Sequence, residues 1–126
     1  MERLFWICVA GAAGTATRYF LALWTAARFG SAFPFGTLIV NLSGCFLIAA
    51  VMHVALTAGW SHTTRAAVTI GFLGGFTTYS SFNYETTRLA EEGAGATAAL
   101  NVALTVVGCW LAGWLGLTVA RSLIGR

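Results

Sequence analysis

The stretch that decides the fold reads Gly71-Phe-Leu-Gly-Gly-Phe-Thr-Thr-Tyr-Ser-Ser-Phe82, followed by Asn83-Tyr84-Glu85. It sits in an uncharged run, Ala66 to Tyr84, and a bilayer-crossing helix takes about 20 residues. Glycine is worse than alanine in a helix by about 1 kcal/mol, and β-branched threonine is also unfavourable. Serine and threonine side chains compete for local backbone hydrogen bonds. Two adjacent glycines followed by Thr77, Thr78, Ser80 and Ser81 therefore make a weak helix at membrane mid-depth. The preferred reading is a break. Its freed carbonyls and N–H groups are tolerable only where they hold an ion or line a protein-enclosed cavity. The competing reading is an intact helix packing through a Gly71-x-x-x-Gly75 contact.

Outward from this stretch, three more apolar runs appear, and the four spans are placed at about 4–24, 35–58, 66–88 and 94–120. The composition agrees. Of the 126 residues, 58% are hydrophobic and 9% charged, against roughly 25% charged in an average soluble domain. A soluble monomer could not cover its surface with so few polar groups. The fold expected is an all-α membrane protein of one domain, 1–126, with four transmembrane helices and a break in the third. Short connections carry the turn and charge signals, and Pro34, the sole proline, opens the second span where it can start a helix without cutting one. Trp6, Trp24 and Trp60 lie near span ends, as interfacial aromatics do. The first run continues past Arg18 to full span length and is read as a span, not a cleaved leader.

The charges exclude other classes. All seven basic residues are Arg and all four acids Glu, a net charge of +3 scattered at the ends of apolar runs. That is no basic patch for nucleic acid. Cys8, Cys45 and Cys109 all fall inside spans and read as free thiols, neither a disulfide framework nor a metal set. His53 and His62 lie far apart, and no nucleophile, base and acid set accompanies them, so the chain is not read as an enzyme. With four spans, Arg3, Arg65, Arg121 and Arg126 share one side and Arg28 and Arg88 the other. That is a shallow positive-inside bias, compatible with insertion in both directions. Four thin helices are also a poor container for a pathway, which points to a homo-oligomer.

Within the spans the polar residues need explaining. Thr37, Asn41, Gly44 and Ile48 share one stripe of the second span. Asn101, Thr105, Gly108, Ala112 and Gly116 share one stripe of the fourth. These are either helix-packing faces or a lined polar track. Around the third-span stretch, Phe72, Phe76, Tyr79 and Phe82 recur at helical spacing, and an aromatic ring has a positive edge that an anion can meet. Arg18 stands alone in the middle of the first span as a partner for carbonyls or Glu85, or as a source of positive potential.

These residues resemble the Fluc (CrcB) fluoride-channel family over essentially the whole chain. The pieces are Gly14-x-x-x-Arg18, Gly36-Thr-Leu-x-Val-Asn41-x-x-Gly44, Gly71-Phe-x-Gly-Gly-x-Thr-Thr-Tyr-Ser-Ser-Phe82-x-x-Glu85, and Asn101 with Gly108. The resemblance implies an antiparallel, dual-topology homodimer in the inner cell membrane, with two fluoride pores and a structural sodium ion at its centre. It implies that the carbonyls of Gly74 and Thr77 hold the sodium. Asn41 would be the pore amide, with Thr37 on the same track, and Phe82 would offer its ring edge to fluoride. Tyr79 stands where the family usually has Phe, and Cys109 where a hydroxyl residue is common.

A pore for this ion must replace a tight water shell with donors while binding weakly enough to release it. Asn41, the hydroxyls of Thr37, Ser80, Ser81 and Thr105, and the ring edges of Tyr79 and Phe82 supply such donors. A central cation and Arg18 lower the barrier to an anion, so passive export of fluoride follows. One rival is a small four-helix proton-coupled multidrug exporter, which needs a carboxylate deep in the first span. Glu2 precedes that span, and Glu85 lies near a span end. The other rival is an accessory subunit that only packs within a larger complex, which would need neither amides nor a broken helix at mid-depth.

Overall fold

The computed structural model describes residues 1–125, and its elements are all helices. The first two are α1 (Glu2–Phe29) and α2 (Phe35–Thr57). The third run comprises α3 (His62–Ala66), a π-helical stretch (Ala67–Leu73), α4 (Gly74–Phe76) and α5 (Tyr79–Glu91), and α6 (Gly95–Ile124) closes the chain. The helices α1, α2 and α6 are each long and apolar enough to cross a membrane. All three extend close to or beyond the expected spans, because a helix that satisfies its own backbone continues until a residue stops it. Gly30 and Gly93 do so after α1 and α5, with φ of 77° and 81°, a region that side chains with a Cβ avoid.

The break in the third run falls at Thr77 and Thr78. Both are extended, with φ/ψ of −80°/156° and −151°/115°. Gly74 remains helical at −66°/−37°, so the glycines are not where the helix opens. They serve packing. A Cβ at Gly71 would lie 2.7 Å from the Ile7 carbonyl oxygen, and one at Gly75 would lie 2.5 Å from that of Gly11. The break and the Gly71-x-x-x-Gly75 contact, which the sequence offered as alternatives, thus coexist in one segment.

Contacts between the helices give their directions. Ile7 meets Gly71 and Gly11 meets Gly75, so α1 and the third run are parallel. Thr37 meets Glu85, Asn41 meets Thr78, and Gly44 meets Thr77, so α2 runs against the third run on both sides of the break. The interruption therefore does not turn the chain back. Leu42 meets Gly108 and Phe46 meets Gly116, which makes α6 parallel to α2. The result is an up-down-up-down bundle. Arg3, Arg65 and Arg121 lie at one end, Arg28 and Arg88 at the other, and Arg126 lies outside the described residues.

The bundle turns its large apolar groups outward. Trp110 is 71% exposed and Phe20 67%, whereas Asn101 is 1% exposed. Such a surface belongs in lipid or against another apolar face. The two polar stripes point inward, with Asn41, Gly44, Asn101, Thr105 and Gly116 all buried.

A methyl group at Gly116 would run into the Phe46 backbone carbonyl, whereas one at Gly113 would meet the Cys45 carbonyl oxygen at 3.6 Å, an ordinary contact. Gly116→Ala is therefore expected to lose about 1–3 kcal/mol through overpacking and to lower the thermal midpoint in detergent. Gly113→Ala is expected to match the unsubstituted protein. Equal midpoints for the two variants would contradict this helix register.

Candidate functional site

The break is held by a single side chain. The Thr78 backbone N–H donates to Asn41 Oδ1 at 2.8 Å, and Asn41 Nδ2 donates back to the Thr78 carbonyl at 2.9 Å. A carboxamide presents donor and acceptor side by side, as a neighbouring strand would. Asn41 thus does for one extended residue what a sheet partner does elsewhere. Both residues are buried, and a buried polar group without a partner costs about 1–3 kcal/mol. Thr78 also starts the next helix. Its Oγ1 accepts from the Ser81 backbone N–H at 3.2 Å, donates to Ser81 Oγ at 3.0 Å, and lies 3.3 Å from Ser80 Oγ.

The diverted N–H groups explain which carbonyls are freed. In an unbroken helix the Gly74 carbonyl accepts from the amide of residue 78, and the Thr77 carbonyl from that of residue 81. Here the Thr78 amide goes to Asn41 and the Ser81 amide to Thr78 Oγ1. Gly74 and Thr77, the two positions expected to hold a cation through backbone oxygens, are among the carbonyls of residues 74–77 that lose their helical donors where the run breaks. Hard neutral oxygens of this kind suit an alkali or alkaline-earth ion. Gly74 is solvent-accessible in the single chain and lines a cavity together with Thr77. Gly75, between them, keeps a weaker partner in Thr15 Oγ1 at 3.4 Å.

Two cavities flank the Asn41–Thr78 pair. One, of about 380 Å³, opens between α2, the break and α6, where Asn41, Tyr79, Phe82 and Thr105 reach it. The other, of about 340 Å³, lies between α1, α2 and α5, where Arg18, Thr37, Ser81 and Glu85 reach it. Thr78 lines both. The expected site residues therefore fall into two groups joined at the break, except Ser80, which lines neither cavity but a separate surface opening with Tyr84 and Arg88. Thr37 Oγ1 donates to Glu85 Oε1 at 2.9 Å, while Glu85 Oε2 and Thr105 Oγ1 are buried with no partner among the described residues. Arg18 faces the cavity that Glu85 faces, but the one ion pair among the described residues is Arg88–Glu92, at 3.7 Å.

The aromatic stripe is divided. Phe72 and Phe76 stack at 6.0 Å with nearly parallel planes, and beyond the break Tyr79 and Phe82 form a second pair at 5.5 Å, tilted by 57°. Phe82 is buried, whereas Tyr79 is 78% exposed. The second half of the site thus sits at the rim of the single chain. Sequence reasoning missed Thr78 as a site residue. Its signal was the first position ahead of Tyr79-Ser-Ser, where an N-cap threonine belongs.

A family described as CrcB-like protein, Camphor Resistance (CrcB), matches residues 5–117. The chain belongs to the CrcB family. Among curated relatives, a fluoride-specific ion channel FluC from Sorangium cellulosum is 53% identical over 125 residues, 98% of each chain. One from Citrifermentans bemidjiense is 48% identical over 124 residues, covering 98% of this chain and all of its own. A third, from Anaeromyxobacter sp., is 44% identical over 126 residues. The match to the CrcB family spans the break, both cavities and all the residues that line them.

In this CrcB chain, Asn41→Ala orphans both the N–H and the C=O of Thr78. It is expected to lower stability by about 1–3 kcal/mol for each group left unpaired, read as a fall in thermal midpoint in detergent and faster exchange of the Thr78 amide. Asn41→Asp keeps the acceptor and should fall between. An Asn41→Ala protein as stable as its parent would mean that the amide does not hold the break.

Proposed function

We propose that the chain is a channel subunit for passive export of fluoride across the cell membrane, with the pathway built around the break in the third run. The observation that carries this reading is the exchange of hydrogen bonds between Asn41 and Thr78. It opens a helix between two cavities and leaves one Asn41 N–H unspent by any recorded partner. Near-full-length identity to relatives named fluoride-specific ion channels supports the choice of ion. Neutral donors suit a small, strongly hydrated anion, since they replace its water in steps without trapping it.

Thr37, Ser80 and Ser81 supply hydroxyls on one side of the break. Thr105, Phe82 and Tyr79 supply a hydroxyl and ring edges on the other. The unpartnered Thr105 hydroxyl is free to donate into its cavity. Arg18 contributes positive potential beside Thr37 and Glu85. The N-terminal end of α5 faces the break, and the positive end of a helix favours an anion. The helical run from His62 ends at the break, where its last turn carries the Gly74 and Thr77 carbonyls, and the negative end of a helix favours a cation. Those carbonyls would hold a structural sodium ion, which supplies fixed positive charge near the anion route.

The functional unit proposed is an antiparallel homodimer in the inner membrane, with two pores and the sodium ion between its subunits. Exposed Tyr79 and accessible Gly74 support it, since a ring and a carbonyl meant for ions need a second wall. The division of arginines between the two ends supports insertion in both orientations. The broken third run then crosses the bilayer as the fourth span, as its unreversed direction suggests. No carboxylate in α1 lies deep enough for proton exchange, since its one acid, Glu2, begins the helix.

Purified protein in liposomes is expected to release fluoride, followed by an ion-selective electrode, and to exclude chloride. Phe82→Ile should cut the flux about tenfold or more, the effect of losing roughly 1.4 kcal/mol of stabilisation along the route. No flux from folded protein would refute the channel reading, and equal chloride flux would refute selectivity. Replacing sodium by a bulky organic cation should lower thermal stability in detergent. Unchanged stability would remove Gly74 and Thr77 as cation ligands.

A further inference from the structure

Two thiols stand together on the wall of the larger cavity, and nothing in the fluoride route uses them. Cys45 of α2 and Cys109 of α6 are free and half-buried, lie on helices that touch one turn further on, where a Cβ at Gly113 would meet the Cys45 carbonyl oxygen at 3.6 Å, and line the cavity that Asn41 and Thr105 enter. Their spacing is fixed by packing on either side. Gly108 sits against Leu42, where a Cβ would lie 2.8 Å from a Leu42 methyl carbon, and Gly116 abuts the Phe46 backbone. The helices α2 and α6 cannot slide past one another here. As hydrogen-bonding groups thiols are weak. As a pair on one cavity wall they are a soft ligand set, which selects soft cations over the hard ions that oxygen donors prefer. Cys8, on α1, is exposed and outside this cavity.

We propose that Cys45 and Cys109 form a two-thiolate binding site for soft, thiophilic cations of the Hg(II), Ag(I) and Cu(I) class, and that occupancy obstructs the ion cavity. The step is ligand exchange without oxidation or reduction. Two S–H bonds break and their protons pass to water, two metal–sulfur bonds form, and the metal sheds water or chloride. With Hg(II) the product is neutral, the form that an apolar interior accepts at least cost. Obstruction of flux rests on the channel reading, whereas binding does not.

The test ion is Hg(II), added to the full chain in detergent while free thiols are counted with a chromogenic disulfide. One equivalent per subunit is expected to lower the count from three, the cysteines in the sequence, to one, and native mass spectrometry should show one mercury per subunit. Cys8→Ser should retain this pairing. Cys45→Ser and Cys109→Ser should each lose it and bind mercury one thiol at a time. In liposomes, Hg(II) should lower the fluoride flux of Cys8→Ser about tenfold or more relative to its own untreated flux, as an occluded pore requires, and dithiothreitol should restore it. Undiminished pairing in either the Cys45→Ser or the Cys109→Ser variant, or one thiol lost per mercury in the parent, would overturn the site. Paired binding with undiminished flux would overturn the obstruction. A chain that conducts no fluoride at all would fail the channel reading, while the thiol count would still decide the site.

Discussion

The structure depends on one exchange of hydrogen bonds, between the Asn41 carboxamide and the peptide groups of Thr78. In an apolar medium every backbone N–H and C=O must find a partner inside the protein. A helix cannot be opened there unless something replaces the lost ladder. Asn41 replaces it at one residue, and the Thr78 hydroxyl replaces it again at Ser81. Both substitutions have the same by-product, since each diverted amide leaves a carbonyl four residues earlier without its donor. The carbonyls of Gly74 and Thr77 are freed in this way, within the opened stretch 74–77. A helix start with unpaired N–H groups and a helix end with freed carbonyls are thereby set against one another at the same break.

The opened segment stays in place because the glycines around it serve contact. Gly71 and Gly75 bring the third run against α1 at backbone distance, and Gly44 makes room for Thr77 on α2. Small residues are the usual means of close approach where lipid supplies no hydrophobic drive between helices. The polar groups are then enclosed by tight helix crossings, while the large aromatic and aliphatic side chains face outward. In the proposed route, conduction and stability draw on the same residues. The hydroxyl of Ser81 and the amide of Asn41 partly hold the break and partly line the cavities. A substitution at any of them acts on both.

Much of this was legible in the residues. Apolar runs with arginines at their ends dictate helices, because a helix is the one uninterrupted segment that satisfies its own backbone in lipid. The run from Gly71 to Phe82 announced a weak point through two glycines and four short hydroxyl residues. The stripe of Thr37, Asn41 and Gly44 announced an inward polar face. The exact place of the opening was less legible, since glycine and threonine both weaken a helix. The choice between them depends on what each meets: Gly75 meets Gly11 at close range, and Thr78 meets an amide. The aromatic stripe was over-read for a related reason. Its four rings share a face only if the helix is continuous, and the extended pair Thr77–Thr78 separates Phe72 and Phe76 from Tyr79 and Phe82.

The sequence by itself determined the membrane-type composition, the helical class, the weak segment and the residue types available to an anion. Those follow from local composition and periodicity, which no partner is needed to express. Only the tertiary structure decided that Asn41 is spent on Thr78, that Thr37 meets Glu85, that Thr105 has no partner among the described residues, and that Cys45 and Cys109 share a cavity wall. Each of these pairs, and the vacancy at Thr105, depends on two helices brought together by glycine contacts far apart in the chain. Hydrogen bonding is decided by distance and angle between such helices, and one chain read in order contains neither.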